Sequence, residues 1–375
     1  VQNVLDGPRA ALTVAQVQYL IRDSPAVTVS AGLELLDANL NVTADISDSL
    51  VGGTVSRASY AVLHGTASLE LSTALDWGQA IVRPFYVMTD GALSARFNLG
   101  AYYTSVPTRD AGLATPTYTV SGFDILHNLN TPVGEAYSVD TGSTYLSAVA
   151  SILTARGSVY VTDQTASASV LPSPKVWPFD DKTTWLAIVN DLLAAIGYRG
   201  IFSDWNGVLH CEPYRPPNQR APEWLYDIGP LTSMLSVSRV VTEDYFDAPN
   251  RWVYYRSNNV DSTAPVEGNG IYTYVNASTG PTSILARNGR VITAVRPVDV
   301  ADQASLVSLA TAGIDADLRL IRHVSLTTFP NPLHWHFDRV YVTDASLTGT
   351  YSDVLVTNWS LPLDGSDMSQ EWTIL

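Results

Sequence analysis

The stretch Val27-Thr28-Val29-Ser30-Ala31-Gly32-Leu33-Glu34-Leu35-Leu36-Asp37-Ala38-Asn39-Leu40-Asn41-Val42-Thr43-Ala44 sets the reading of the chain. Val27 to Ser30 and Glu34 to Leu36 read as strand with a small break between them. Asp37-Ala38-Asn39 supplies turn chemistry, and Leu40 to Ala44 begins the return strand. Further alternating runs follow at Ala67 to Leu71, Ile81 to Met88, Ala95 to Val106 and Tyr118 to Val120. Val, Thr, Tyr and Leu dominate them, and Gly, Asp and Pro separate them, as a pleated and half-buried surface requires. Residues 27–125 therefore read as a small sandwich or barrel.

The period then changes. Leu146, Val149, Ile152 and Leu153 fall at helical spacing within Ser143 to Arg156, and Gly157 supplies the stop. A Ser-, Ala- and Pro-rich connector runs to Pro172, Pro174 and Pro178. Thr183 or Thr184 then caps the clearest helix. Trp185, Ile188, Val189, Leu192, Leu193 and Ile196 share one of its faces, and Gly197 ends it. Ile201-Phe202 and Val208-Leu209-His210 flank Asp204-Trp205-Asn206-Gly207, where Asn-Gly accepts the positive φ of a tight hairpin turn. Residues 126–230 read as a mixed α/β module.

From 231 strands return, at Leu235 to Val241, Arg251 to Arg256, Ile271 to Val275, Arg290 to Val295, Val324 to Thr328, Arg339 to Val342, Asp353 to Asn358 and Glu371 to Leu375. One helix, Asp302 to Leu320, interrupts them, capped by Asp299 or Asp302. There is one internal echo. Tyr86-Val87-Met88-Thr89-Asp90 with Leu93 resembles Tyr341-Val342-Thr343-Asp344 with Leu347, and a proline follows each, Pro107 and Pro362. Duplicated β domains and chance matching of two strand–turn strings both produce such a pair.

Composition bounds the function. At 375 residues the chain has room for two to four domains, and 46% apolar with 15% charged residues is a globular balance. So few charges suit a surface that meets other protein, or a neutral soluble one. A net charge of −15 gives no grip on nucleic-acid phosphate. Lys175 and Lys182 are the two lysines, and every other basic side chain is arginine. The single cysteine, Cys211, excludes an intrachain disulfide. No apolar run reaches the roughly 18 residues of a membrane span. Residues 1–12 lack the charged start and long apolar core of a signal peptide.

The sharpest chemical candidate is His334-Trp335-His336-Phe337-Asp338. In a strand, His334, His336 and Asp338 share one face, and two imidazoles with a carboxylate form a donor set for zinc or iron. The alternative is a strand entry with aromatic packing. Asp180-Asp181, Glu243-Asp244 and Asp247 are the acidic pairs a glycosidase would need, but Asp180-Asp181 stands where helix N–H groups favour carboxylates. Thr28-Val29-Ser30-Ala31-Gly32 lacks the first glycine of a nucleophile turn. Gly268-Asn269-Gly270 lacks the third glycine of a dinucleotide loop, and Asp204 to Gly207 is too short for a calcium loop. Nine tryptophans and nineteen tyrosines suit sugar stacking, cores and interfaces alike. The residues yield no catalytic site, no cofactor site and no metal set.

A family resemblance emerges from the order of many short motifs. Asp45-Ile46-Ser47 to Ser56-Arg57 leads into His64-Gly65-Thr66-Ala67-Ser68-Leu69-Glu70-Leu71, then Leu75-Asp76-Trp77 and Ile81-Val82-Arg83-Pro84-Phe85. Phe97-Asn98-Leu99-Gly100, Ser105-Val106-Pro107 and Val120-Ser121-Gly122-Phe123-Asp124 follow. The Trp185 to Tyr198 helix, Phe202 to Glu212, Ala248-Pro249-Asn250, Asn288-Gly289-Arg290 and Asp302-Gln303 complete the run. Over about residues 25–375 this succession resembles the minor tail or tail-hub proteins of siphophages, relatives of the baseplate hub of contractile tails.

The resemblance implies a mainly β fold with an α/β insertion. Two tail-tube-like β-barrel domains would span 27–125 and 231–375, the second with a helix near 302–320. A peripheral mixed module would span 126–230. Residues 1–26, with the apolar stretch Val14 to Ile21, read by themselves as an N-terminal arm expected to dock on a neighbour. The resemblance further implies a homotrimer at the virion tail tip, with six barrels matching a sixfold ring above to a threefold one. Its partners would be the distal tail protein ring, the tape-measure protein and receptor-binding or tip proteins. DNA would pass through the channel without specific binding. The competing readings are a tail-tip hydrolase that degrades cell wall, and a carbohydrate- or receptor-binding module.

Overall fold

The computed structural model describes residues 2–374 apart from 76–79, 111, 113–116, 179, 181, 228–234, 244, 258–265, 320–321 and 344–351. The first half runs from a short helix α1 (Val14–Gln18) into β1 (Thr28–Leu36), β2 (Val42–Asp45), β3 (Leu50–Ala58), β4 (Gly65–Leu71) and β5 (Ile81–Asp90). Strands β6 (Leu93–Asn98), β7 (Tyr102–Thr104), β8 (Thr108–Asp110) and β9 (Thr117–Asp124) complete it. In β4 the period-2 rule is strict: Gly65, Ala67, Leu69 and Leu71 are buried, and Thr66, Ser68 and Glu70 are exposed.

Two expectations shift here. The break expected after Ser30 is absent, and β1 runs unbroken through Gly32. The glycine is there for close approach, since a Cβ would meet the Phe85 ring at 2.1 Å. The single run expected from Ala95 to Val106 is split between β6 and β7, because Gly100 turns the chain at φ +99°.

The middle of the chain holds β10 (Tyr137–Val139), α2 (Tyr145–Ala155), β11 (Tyr160–Thr162), β12 (Lys175–Trp177), α3 (Trp185–Ala194), β13 (Phe202–Ser203) and β14 (Leu209–Cys211). Thr144 caps α2 by accepting from the Ser147 amide, and Thr184 caps α3 by accepting from Ala187. Gly157 and Gly197 follow the helices at φ +62° and +72°. Val149, Ile152, Leu153, Ile188, Val189, Leu192 and Leu193 meet in a core of their own.

The last part contains β15 (Trp224–Asp227), β16 (Leu235–Glu243), β17 (Arg251–Arg256), β18 (Val266–Glu267), β19 (Gly270–Val275), β20 (Thr293–Val298) and α4 (Gln303–Arg319). Then come β21 (Arg322–Thr328), β22 (Asp338–Thr343), β23 (Ser352–Pro362) and β24 (Met368–Ile374). Strands β17 to β20 form a separate four-stranded sheet. Helix α4 covers one of its faces, burying Leu306, Ala310 and Ile314 on Trp252 and Tyr254. The reading from sequence had merged this unit with the strands on either side.

The fold is mainly β with few helices, and none of the described helices is long and apolar enough to cross a membrane. One 15-stranded sheet carries both ends of the chain, with a main path β16-β21-β24-β23-β3-β4-β9-β7-β5-β1-β2 and, off that path, β22 on β23, β15 on β22, β6 on β5 and β8 on β9. Among the described residues its path stays open, with β2 and β16 at the two ends. The seam is the antiparallel pair β23–β3, from Asn358 opposite Ala58 to Pro362 opposite Thr54. There Ser56 and Ser360 share a 2.8 Å hydroxyl hydrogen bond across 304 residues of chain. Trp335, Trp359 and Trp372 fill the core beneath it. A buried aromatic ring removes ~200 Å² from water, on the order of 5 kcal/mol each before ordering costs.

Residues 2–23 pack on their own chain. Val17, Leu20 and Ile21 enter the main core, and the Gln2 side-chain amide donates to the carbonyls of Asn98 and Pro332. The echoed strings are out of phase: Tyr86 is buried, whereas Tyr341 points away from the core between buried Val340 and Val342. Asp344 and Leu347 of the echo, and Asp76 and Trp77 of the motif run, lie outside the described residues.

Candidate functional site

The segment singled out by chemistry, residues 334–338, lies beside the seam. It belongs to a loop, 331–338, that reaches strand only at Asp338. Phe337 has φ +53°, a conformation that breaks the pleat. The expected shared face of His334, His336 and Asp338 is therefore absent. His334 turns back to Asp338, and His336 turns away.

His334 is held at both nitrogens. Nδ1 lies 3.0 Å from Asp338 Oδ2, and Nε2 lies 2.6 Å from the Tyr226 hydroxyl. The carboxylate keeps the proton on Nδ1, so Nε2 accepts from Tyr226. Asp338 Oδ2 also accepts from the Trp335 amide at 2.7 Å. Gln370 Nε2 donates to the Tyr226 oxygen at 2.9 Å, and the Trp372 indole donates to Gln370 Oε1 at 2.7 Å.

Tyrosine, histidine and aspartate in this order copy the connectivity of a hydrolytic triad. Their surroundings do not. Tyr226, His334 and Asp338 are 0%, 1% and 0% exposed, so nothing outside reaches them. Burial pushes the Tyr226 hydroxyl up to about 12, away from a nucleophile. As built, the relay satisfies buried polar groups and fixes the loop.

A second buried centre ties this loop to the middle module. Arg57 on β3 and Asp124 at the end of β9 approach to 3.5 Å, each with a side chain 2% exposed. Arg57 donates to the Ser203 carbonyl at 3.0 Å and stacks 4.3 Å from the Trp335 ring. The Trp335 indole donates to the same carbonyl at 2.6 Å, and Ser203 Oγ donates to Asp124 at 2.8 Å. Burial draws Arg57 down and Asp124 up, and their mutual attraction opposes both shifts. Sequence reading missed Arg57, Asp124, Ser203 and Tyr226. Arg57 lies 146 residues from Ser203, so no local spacing links them.

The acidic candidates are scattered. Asp180 is engaged by the amides of Lys182 and Thr183 ahead of α3. Glu243 pairs with Arg322 at 2.7 Å. Asp247 is 84% exposed at its side chain. Asp181 and Asp244 lie outside the described residues. Among the described residues, no three His, Cys, Asp or Glu side chains gather as a metal-binding group. A cleft of about 830 Å³ lies between the middle module and the α4 unit. It is lined by Arg199, Arg220, Tyr254, Arg296 and His336 among others.

No protein-family model matches the sequence, and no curated protein matches it either. Solved structures do match in shape. A tail protein from Neisseria meningitidis MC58 superposes with TM-score 0.62 at 9% identity, over 92% of this chain and 96% of that one. The 43 kDa tail protein of prophage MuSo2 from Shewanella oneidensis gives 0.60 at 11% identity, over 92% and 98%. Prophage tail protein gp18 from Listeria monocytogenes gives 0.51 at 11%, over 91% and 94%. With the sheet, the module and the sealed centres in view, the chain has the fold of bacteriophage tail proteins.

Proposed function

We propose that this chain is the hub at the tip of a long bacteriophage tail, a structural component of the virion without catalytic activity. Three copies form a ring that continues the tail channel. Each copy brings two tube-like β-barrel domains, 27–125 and 231–375. Six such domains meet a sixfold ring above and leave a threefold ring below. Residues 126–230 form the peripheral module, and 1–26 the N-terminal arm. The ring meets the distal tail protein ring and the tape-measure protein and anchors receptor-binding or tip proteins. Carboxylates of this acidic chain line the channel, so that DNA slides through it without specific binding.

The observation that carries this reading is the likeness of shape, over more than nine-tenths of the chain, to tail proteins of matching length. The separate cores of the large sheet and the middle module support the division into a ring part and a peripheral part. The sealed Tyr226–His334–Asp338 relay supports a role without chemistry. Light scattering on the purified protein tests the assembly, with three times the 40.5 kDa chain mass expected. Electron microscopy of virions should place a threefold ring at the tail tip. A monomer absent from virions would end the proposal.

A further inference from the structure

His336 belongs to a different assembly from His334. Its ring lies flat on Phe202 of the module hairpin, with centroids 5.0 Å apart and planes 7° from parallel. His64, just ahead of β4, tilts against it at 4.5 Å. Arg199 stands 3.8 Å from the centroid of Phe202. The stack thus joins three segments: the β3–β4 connection, the module hairpin and the 331–338 loop. His336 is 7% exposed, and neither His64 Nδ1 nor His336 Nδ1 has a hydrogen-bond partner among the described residues. Buried polar atoms without partners are rare, and here two adjacent imidazoles each carry one.

The charges around the pair are unfavourable to a further proton. Arg57 on β3, Arg199 beyond α3 and Arg220 ahead of β15 all act on it. The nearby carboxylates are engaged: Asp124 with Arg57, Glu212 with Arg199, Glu223 with Arg220 and Asp338 with His334. His210, the other titratable ring on Phe202, has Asp204 at 3.2 Å. Burial first, then Arg57 and Arg199, pushes His64 down to about 3, and burial first, then the His64 ring and the guanidiniums, holds His336 well below its ordinary value. His336 helps to line the 830 Å³ cleft, and His64 lines a smaller hollow at the seam with Arg57 and Trp359, so each ring has a concavity beside it.

We propose that His64 and His336 form an acid-released latch: a proton taken up by the pair breaks the stack on Phe202 and loosens the module hairpin and the β3–β4 connection from the large sheet. Once opened, both imidazoles titrate near 6.5. Below that value each favours the open form about tenfold per pH unit, and the two together about a hundredfold.

Hydrogen exchange between pH 7.5 and 4.5, corrected for intrinsic rates, tests the latch. Peptides covering 58–64 and 200–211 should open by between tenfold and a hundredfold per unit below about pH 6.5, while β23 stays protected. Substituting His64→Phe and His336→Phe keeps the rings and removes the protons. Each single variant should halve the logarithmic slope, and the double variant should stay closed. An unchanged slope in the double variant would overturn the proposal. So would a wild type whose hairpin ignores pH, or one in which β23 opens in step. Should the double variant not fold, nitrogen-15 histidine spectra of the wild type decide instead. Two of the six imidazoles should remain neutral until the hairpin opens, and free titration of all six near 6.5 in the closed protein would refute the latch.

Discussion

His334 and His336 stand two residues apart and occupy opposite surroundings. His334 has both nitrogens engaged within a sealed network of Tyr226, Asp338, Gln370 and Trp372. His336 is stacked between Phe202 and His64 with a nitrogen left over. The positive φ of Phe337 and the turn of the loop send the two rings to different neighbours. A satisfied buried polar group rigidifies its site, whereas an unsatisfied one leaves the site sensitive to a proton. One centre serves as a fixed joint of the large sheet, and the other as a contact that conditions can alter.

The largest test removes what lies between the two centres. Arg57→Ala strips the guanidinium from beneath Trp335 and leaves Asp124 buried without its partner. It should cost about 3–5 kcal/mol in denaturant unfolding. A cost below about 1 kcal/mol would show that the joint does not depend on this pair.

Next comes pH. A histidine whose folded value lies below its unfolded value binds more protons when unfolded, so its contribution is complete above the unfolded value and falls away beneath it. His64 and His336 both lie on this side. Stability should therefore be level well above pH 7 and drop below 6.5, by about 2 kcal/mol in the first unit for two groups and more steeply after it. Asp37, Asp45, Asp90, Asp163, Asp180 and Asp364 are held below the ordinary carboxylate value. Their contribution is lost only in more acid solution, whereas Asp124, raised by burial, acts in the opposite sense and blunts the fall that the histidines cause.

Two substitutions sharpen the comparison on the His334 side. Asp338→Asn takes the charge from the acceptor of His334 and the Trp335 amide and should cost about 2 kcal/mol. Tyr226→Phe leaves His334 Nε2 and Gln370 each short of a partner, for about 1–2 kcal/mol. Neither should move the pH profile. His323→Ala is the smallest. That ring is partly exposed, 3.5 Å from Glu371, and its loss should change stability by less than about 1 kcal/mol.

Local features were legible in the chain. Thr184 as cap, Gly197 as stop and the buried face of α3 follow from spacings of three and four residues. The Asn-Gly turn before β14 and the alternation of β4 are equally local. The candidate site was legible only as a list of side chains. A strand periodicity assigned to 334–338 predicted a shared face, and nothing in the local residues announced the positive φ at Phe337. The Tyr86 and Tyr341 strings looked alike because strand residues are drawn from a small set, yet the pleat points them in opposite senses.

The sequence by itself determined the helices α2, α3 and α4 and many of the strands, since caps, φ preferences and hydrophobic period act within a few residues. It also determined that the chain is acidic, poor in cysteine and mainly β. Only the tertiary structure decided that β3 and β23 join both ends of the chain into one sheet, and that His334 finds Tyr226 while His336 finds Phe202 and His64. Strand partners and buried polar contacts are chosen among segments tens to hundreds of residues apart. Register, packing volume and the satisfaction of every buried donor settle that choice together.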